Sequence, residues 1–370
     1  MHFSDGQNHW PFSYHTLIGS NVEAHPVEYP SLTGLVMWLI SFLVPVSQNA
    51  VIQYYWITAL LNTILFSYSA YLVRSLSNNK LTYAYIMAPA VLYSLHRNWD
   101  IWALVPMLLS VLLFEHKKYL SSSVWLAIAI ATKFFPLVLL LPVCVYFLRT
   151  HQYRKLIEYI SSTALFWTLI NIPFVIVNFE GWAYFYRFSY ERGYGGGSVY
   201  EMLSKLGTGI EISTNGFYAL NLCLFSAVAL FLFKVKMPLS ASQGAFITLF
   251  AFTLFNKQYS MQYVIWLAPF AVISLSMLQR KTQKSLIKLY LIWQFFELLF
   301  QFAFFQNILT NTGKSRGMVL ANVEFTEFQY GLTSIARYLA FILFVVQLVK
   351  AIYNERKHSY AIKTQGKNKS

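Results

Sequence analysis

The sequence predicts an all-α, polytopic integral membrane protein, and three observations carry that prediction. Hydrophobic residues make up 57% of the 370-residue chain and charged residues only 11%, with a mean hydropathy of +0.48, which sets aside the two soluble domains such a length would otherwise suggest. Apolar runs recur about every 20 to 30 residues from Tyr29 to Ile352, the pattern of helices that each cross a ~30 Å hydrocarbon core. Basic residues are shared unequally between alternate loops, as they are when charge fixes orientation.

Residues 1–28 contain Asp5, Glu23 and Glu28 and no Lys or Arg. They lack the basic start and apolar run of a cleavable signal, and so little positive charge makes the segment easily translocated, which places the amino terminus outside. Residues 31–44 are apolar but bracketed by Pro30 and Pro45. At 1.5 Å per residue they reach roughly 21 Å, so they read as an interfacial or re-entrant helix, with a tilted span as the alternative. About eleven transmembrane spans are expected after them, near 51–73, 81–95, 101–114, 120–132, 134–148, 157–178, 215–233, 242–256, 263–278, 287–306 and 331–352. One long helix over 120–148 would put Lys117 and Lys118 on the opposite side from Arg149, Arg154 and Lys155; two spans keep both clusters together. The chain then reads as one polytopic domain over 1–352 and a basic cytoplasmic tail over 353–370.

With this alternation one side receives 19 of the 28 basic residues and three acids, the other nine basic residues and ten acids, leaving Glu297 in a span. The first side is therefore cytoplasmic, the carboxyl terminus with it, and the net charge of +14 is orientation charge rather than a nucleic-acid surface. Cys144 and Cys223 both fall inside apolar runs and read as packed thiols, not a disulfide.

The cytoplasmic loops hold only charge, while every chemically unusual stretch lies outside. These are the tail with Asp5 and Glu28-Tyr29, the turns His96-Arg97-Asn98-Trp99-Asp100 and Thr132-Lys133-Phe134-Phe135-Pro136, a long loop over 179–214, and a turn over 255–263. Ionisable groups between spans are costly to hold and mark functional sites, and a transporter would place them near the midplane instead. Asp5 and Asp100 are the acids placed to act as bases. Lys133, Lys257, Arg192 and Arg97 could bind an anionic head group, most simply a phosphate. Asn98, Trp99, Gln262 and Tyr263, with Glu28 and Tyr29, are candidate contacts for a sugar or acceptor. Gly195-Gly196-Gly197 follows no strand, so it reads as a flexible loop hinge over the site rather than a nucleotide fingerprint. The external histidines lack a metal-ligand spacing and no Asp-x-Asp pair occurs, so no cofactor is assigned, with a divalent metal left open. Glu297, in a Phe-rich span, should face protein and be either paired or protonated.

The stretch NWDIWALVPMLLSVLLFEHKKYLSSSVWLAIAIATKFFPLVLLLP at 98–142 resembles the bacterial polyprenol-phosphate-mannose-dependent mannosyltransferases of glycosyltransferase family 87. FSD at 3–5, EYPSLTGLVMWL at 28–39, ERGYGGGSVY at 191–200 and NKQYSMQYVIWLAP at 256–269 are similar to its other blocks, in the same order. The resemblance implies a hexose, mannose in this family, moved from a polyprenyl-phosphate donor to a glycan or glycolipid acceptor at the outer face of a bacterial plasma membrane. It maps the essential acid of the first external loop onto Asp5, and relatives carry a span before that loop, which places a missing span ahead of Met1 among the expectations. A lipid-linked-sugar flippase and a non-catalytic subunit of an envelope-assembly complex are the other classes open; neither needs an external base. If the transferase expectation holds, Asp5→Asn abolishes transfer in a labelled-sugar assay while the protein still accumulates in membranes.

Overall fold

The computed structural model describes residues 10–16, 23–45, 47–77, 80–210, 212–235, 238–314, 319–320 and 322–367. After a hairpin of two-residue strands, β1 (His15–Thr16) and β2 (Glu23–Ala24), come helices α1 (Ser31–Ser41) and α2 (Ala50–Ser77). The stretch 81–95, expected as one span, is two short helices, α3 (Thr82–Ile86) and α4 (Pro89–Ser94). Pro89 has no N–H to continue a helix and biases Ala88 away from helical backbone, so the break falls there.

Helices α5 (Asp100–Glu115) and α6 (Tyr119–Thr132) form the expected hydrophobic hairpin. Lys133 then takes an extended conformation, φ −144° and ψ 141°, so residues 120–148 are two segments and not one helix. A 3-10 segment over Phe135–Leu139 leads to α7 (Leu140–Arg149), and α8 (Tyr153–Val177) follows. The expected loop over 179–214 instead holds two further helices, α9 (Phe179–Glu191) and α10 (Val199–Lys205). Each begins on a side-chain cap: Asn178 Oδ1 accepts the Gly181 N–H at 3.0 Å, and Ser198 Oγ accepts that of Glu201 at 3.2 Å, satisfying donors a helix start leaves open. Helices α11 (Thr214–Lys234), α12 (Ala241–Leu254), α13 (Val264–Ser276), α14 (Arg280–Thr312) and α15 (Glu327–Lys367) complete the chain. The last runs through the stretch expected as a basic tail.

Five of these are long and apolar enough to cross a membrane: α2, α8, α11, α14 and α15; five shorter apolar segments accompany them. The protein is a helical integral membrane protein, with fewer self-sufficient spans among the described residues than the eleven expected. Cys144 and Cys223 are free thiols, Cys223 exposed on the surface of α11 rather than packed.

The chain divides into two compact units. The first comprises residues up to 72, 95–137 and 154–192. In it α5 and α6 approach through serines: Ser122 Oγ donates to Ser110 O at 2.8 Å and Ser110 Oγ to Ser122 O at 2.9 Å, with the Tyr159 hydroxyl of α8 2.9 Å from Ser122 Oγ. Small hydroxylated residues let helices pack closely where lipid supplies no hydrophobic drive. Phe12, 1% exposed, wedges the amino-terminal segment among three helices. Its ring leaves no room for a Cβ at Gly34 of α1, its carbonyl none at Gly181 of α9, and it meets the Phe174 ring of α8 edge-on at 5.2 Å.

The second unit comprises residues 73–94, 138–153 and 193–370. At its centre α13 is buried on every side, from Val264 to Leu275, as a helix apolar all round must be, and α3, α4, α12 and α14 pack about it. The Arg149 guanidinium closes the end of α11 by donating to Leu232 O at 2.7 Å and Val235 O at 2.5 Å. Glu297 of α14, expected to be paired or protonated, is paired: Arg337 Nε of α15 donates to its Oε2 at 2.8 Å, and both side chains are fully buried. Arg337, one of the nine basic residues counted to the outer side, is fully buried within the protein.

A methyl group at Gly181 would fall on the Phe12 carbonyl oxygen, so Gly181→Ala must push the amino-terminal segment off α9, at about 1–3 kcal/mol for overpacking. The expected outcome is faster limited proteolysis between Trp10 and Val27 and a lower unfolding temperature in detergent.

Candidate active site

In the first unit the turn ahead of α5 and the break after α6 bring four predicted residues together. Asn98 lies just before the helix and its Oδ1 accepts three donors: the Trp99 N–H at 2.6 Å, the Tyr29 hydroxyl at 3.1 Å and Lys133 Nζ at 3.4 Å. Lys133 Nζ also lies 3.6 Å from Asp100 Oδ1 and 4.3 Å from the centre of the Tyr29 ring. Asp100 is 1% exposed and the Lys133 side chain 14%, so the ammonium is partly desolvated and held by a carboxylate, an amide oxygen and an aromatic face at once. None of these contacts is short, which leaves the ammonium able to turn toward a stronger anion without losing an ideal hydrogen bond.

The surrounding elements explain why the cluster stands there. Thr33 Oγ1 of α1 donates to Thr132 O at 2.5 Å, holding the last turn of α6. Asn62, fully buried in α2, donates to Leu95 O at 3.1 Å and Asn98 O at 3.5 Å and accepts the Trp102 indole N–H at 2.8 Å. Asn62 is a site residue the sequence reading missed; a lone amide in the apolar run 51–73 was the available signal. Trp99 is buried beside Tyr54 and Trp102, so its ring packs under the turn. Burial lowers the His96 pKa below its ordinary value and favours the neutral ring.

The other predicted residues are placed as follows. Arg97 and Glu28 are exposed near this cluster in sequence, and Arg192 is exposed with its guanidinium 5.5 Å from the Phe188 ring centre. Lys257, Gln262 and Tyr263 belong to the second unit. There Lys257 Nζ lies 5.5 Å from the Phe217 ring centre, and the Tyr263 ring packs 4.6 Å from Trp266. Asp5 lies outside the described residues. Among the described residues no three His, Cys, Asp or Glu side chains come together in a way that could hold a metal ion.

The glycine run behaves unlike a free hinge. Gly196 and Gly197 have φ +55° and +80°, and a Cβ on Gly197 would sit 2.7 Å from Arg337 and 2.9 Å from the Tyr259 carbonyl. Only glycine adopts that backbone at so close an approach, and the run is seated against the second unit's core rather than open above it.

The chain matches the sequence profile of glycosyltransferase family 87 over residues 28–261. It belongs to that family. The matched span takes in Glu28, Tyr29, Arg97, Asn98, Trp99, Asp100, Lys133, Arg192 and Lys257 and stops short of Gln262 and Tyr263. None of the curated proteins matches the chain. Among solved structures it is similar to the crystal structure of ArnT from Cupriavidus metallidurans bound to undecaprenyl phosphate, at 14% identity over 94% of this chain and 70% of that one, with a TM-score of 0.45. That likeness is too distant to assign any residue of this family 87 chain.

Lys133→Met would remove the ammonium 3.6 Å from the buried Asp100 carboxylate and is expected to cost roughly 3 kcal/mol of stability. Adding Asp100→Asn should recover most of that loss. Thermal unfolding of the two single variants and the double variant checks the coupling, and additive losses would show that the two residues act independently.

Proposed function

We propose that this family 87 glycosyltransferase moves a hexose, mannose by family expectation, from a polyprenyl-phosphate donor to the hydroxyl of a glycan or glycolipid at the outer face of the membrane. The observation that carries the reading is the Tyr29–Asn98–Asp100–Lys133 cluster, a partly exposed ammonium preorganised inside the span that matches the family. Its weak contacts suit an anion that arrives and departs, as a lipid phosphate does.

In the reaction the acceptor oxygen attacks the anomeric carbon of the donor sugar from the side opposite the phosphate. The bond from that carbon to the phosphate oxygen breaks, the phosphate leaves with the electron pair, and the configuration inverts. Lys133 faces the charge that grows on the leaving phosphate; one such electrostatic contact is worth about 3 kcal/mol, on the order of 10²-fold in rate. Asp5 is assigned the acceptor's proton, a step worth ~10²–10⁴. Asp100, almost fully buried and facing Lys133, serves best by aiming the ammonium. Asn98 and Tyr29 are placed to exchange their mutual hydrogen bond for one to a sugar hydroxyl.

Membranes carrying the protein, incubated with a panel of polyprenyl-phosphate sugars, should transfer label from one of them to a glycan or glycolipid acceptor. Lys133→Met should lower kcat/KM on the order of 10²-fold. Movement of labelled lipid between leaflets of proteoliposomes with no product from any donor would overturn the reading in favour of a flippase.

A further inference from the structure

Glu297 and the glycine run are features that the proposed reaction leaves unused, and in the second unit they belong to one network. Tyr259 is gripped at three points by the buried ion pair. Its hydroxyl donates to Glu297 Oε1 at 2.6 Å, its carbonyl accepts Arg337 Nη1 at 2.9 Å, and its ring lies 3.5 Å from the guanidinium carbon. The other face of the guanidinium meets the Phe300 ring at 4.1 Å, and the Trp293 indole donates to Glu297 Oε1 at 2.9 Å. Arg337 Nη2 is buried with no hydrogen-bond partner among the described residues. A buried ion pair is often no more stabilising than apolar packing of the same volume, so what distinguishes this one is the set of groups it holds in place.

Tyr259 sits in the turn that carries Lys257, and that turn is paired with the glycine run. Gly195 N–H donates to Lys257 O at 3.0 Å, and Gln258 Nε2 donates to Gly193 O at 2.9 Å. Gly197 N–H donates to Glu201 Oε2 at 2.6 Å, an oxygen that also accepts the Tyr330 hydroxyl at 2.9 Å, while the Tyr338 hydroxyl reaches Gly197 O at 3.4 Å. Arg337 therefore holds one loop through Tyr259 and lies against the other at Gly197, where its Nη1 would be 2.7 Å from any added Cβ. The loop at 193–198 and most of the turn at 257–263 lie inside the family-matched span, whereas Glu297 and Arg337 lie beyond its end at residue 261.

We infer that Glu297 and Arg337 are positioning residues, a buried clamp that locks the Gly193–Ser198 loop and the Lys257–Tyr263 turn together so that Lys257 is presented in one fixed place. That Lys257 is a donor-phosphate cation is an expectation from the sequence and needs the transferase function proposed above; the clamp itself needs neither. The Lys257 backbone is held by the Gly195 N–H on its carbonyl and by the grip on Tyr259 two residues on. Loosening the clamp should therefore displace the ammonium while leaving the helices intact.

The test uses the full chain in detergent with Glu297→Gln, Arg337→Lys and the paired replacement Glu297→Met with Arg337→Met, which keeps the volume and removes both charges. The paired variant guards against a single buried charge simply unfolding the protein. Hydrogen exchange read by mass spectrometry should quicken in peptides covering 193–198 and 257–263 and stay unchanged in α5 and α6. With a polyprenyl-phosphate mannose as donor, KM for the donor should rise on the order of 10²-fold, the cost of misplacing a binding group by about an ångström, with kcat less affected and Arg337→Lys regaining part of the loss. In a Lys257→Met background the same replacements should cost little more. Unchanged exchange in both loops, or full additivity with Lys257→Met, would overturn the clamp. Quickened exchange together with no transfer by the unaltered protein would support the clamp and overturn the transferase reading instead.

Discussion

Arg337 and Glu297 sit where neither water nor lipid can solvate a charge, and each is tolerable there only because the other stands 2.8 Å away. Much of the second unit follows from keeping that pair dry and satisfied. The carboxylate collects a tyrosine hydroxyl and an indole N–H besides the guanidinium, and the guanidinium is sandwiched between two aromatic rings. Those partners come from α14, α15 and the turn before α13, so a requirement of electrostatics becomes a requirement on where a loop must lie. The same rule at lower stakes shapes the first unit, where Lys133 is half withdrawn from solvent and leans on Asp100, Asn98 and Tyr29.

The two clusters differ in a way that matches what they would do. Around Glu297 the polar contacts include several below 3 Å and the exposure is nil, an arrangement that resists change. Around Lys133 the three contacts are 3.4, 3.6 and 4.3 Å, and the side chain keeps some access to solvent. The first arrangement fixes the loops of its own unit, and the second suits a group that must be bound and released.

Much of this was legible in the sequence, for reasons that can be traced to particular residues. Asn98, Asp100 and Lys133 stood out because polar groups between apolar spans are expensive, and charge alternation forced the break after Thr132 that brings Lys133 back toward Asp100. The α9 helix reads as loop because it is only 13 residues long and carries Arg187 and Glu191 among its aromatics, too short and too polar for a membrane span. Only the Asn178 cap marks its start. Arg337 was lost because one basic residue near the start of an apolar run looks like an interfacial anchor. Its partner lies 40 residues earlier on another helix, a distance no periodicity encodes. Asn62 was missed for the same cause: its partners, Leu95 and Trp102, are brought to it by tertiary packing alone.

The carboxamide of Asn98 is chemically boxed in. Its single oxygen serves a backbone N–H, a phenol and an ammonium, so it must be an acceptor, and it must be uncharged. A carboxylate there would compete with Asp100 for Lys133 and turn a balanced pair into an acidic trap that holds the cation back from any phosphate. An aliphatic side chain of equal size would take an acceptor from the Trp99 N–H and the Tyr29 hydroxyl and leave Lys133 to Asp100. The turn is therefore least tolerant of change at a residue assigned neither the charge nor the proton transfer, because its neutral oxygen helps set how tightly the charge is held.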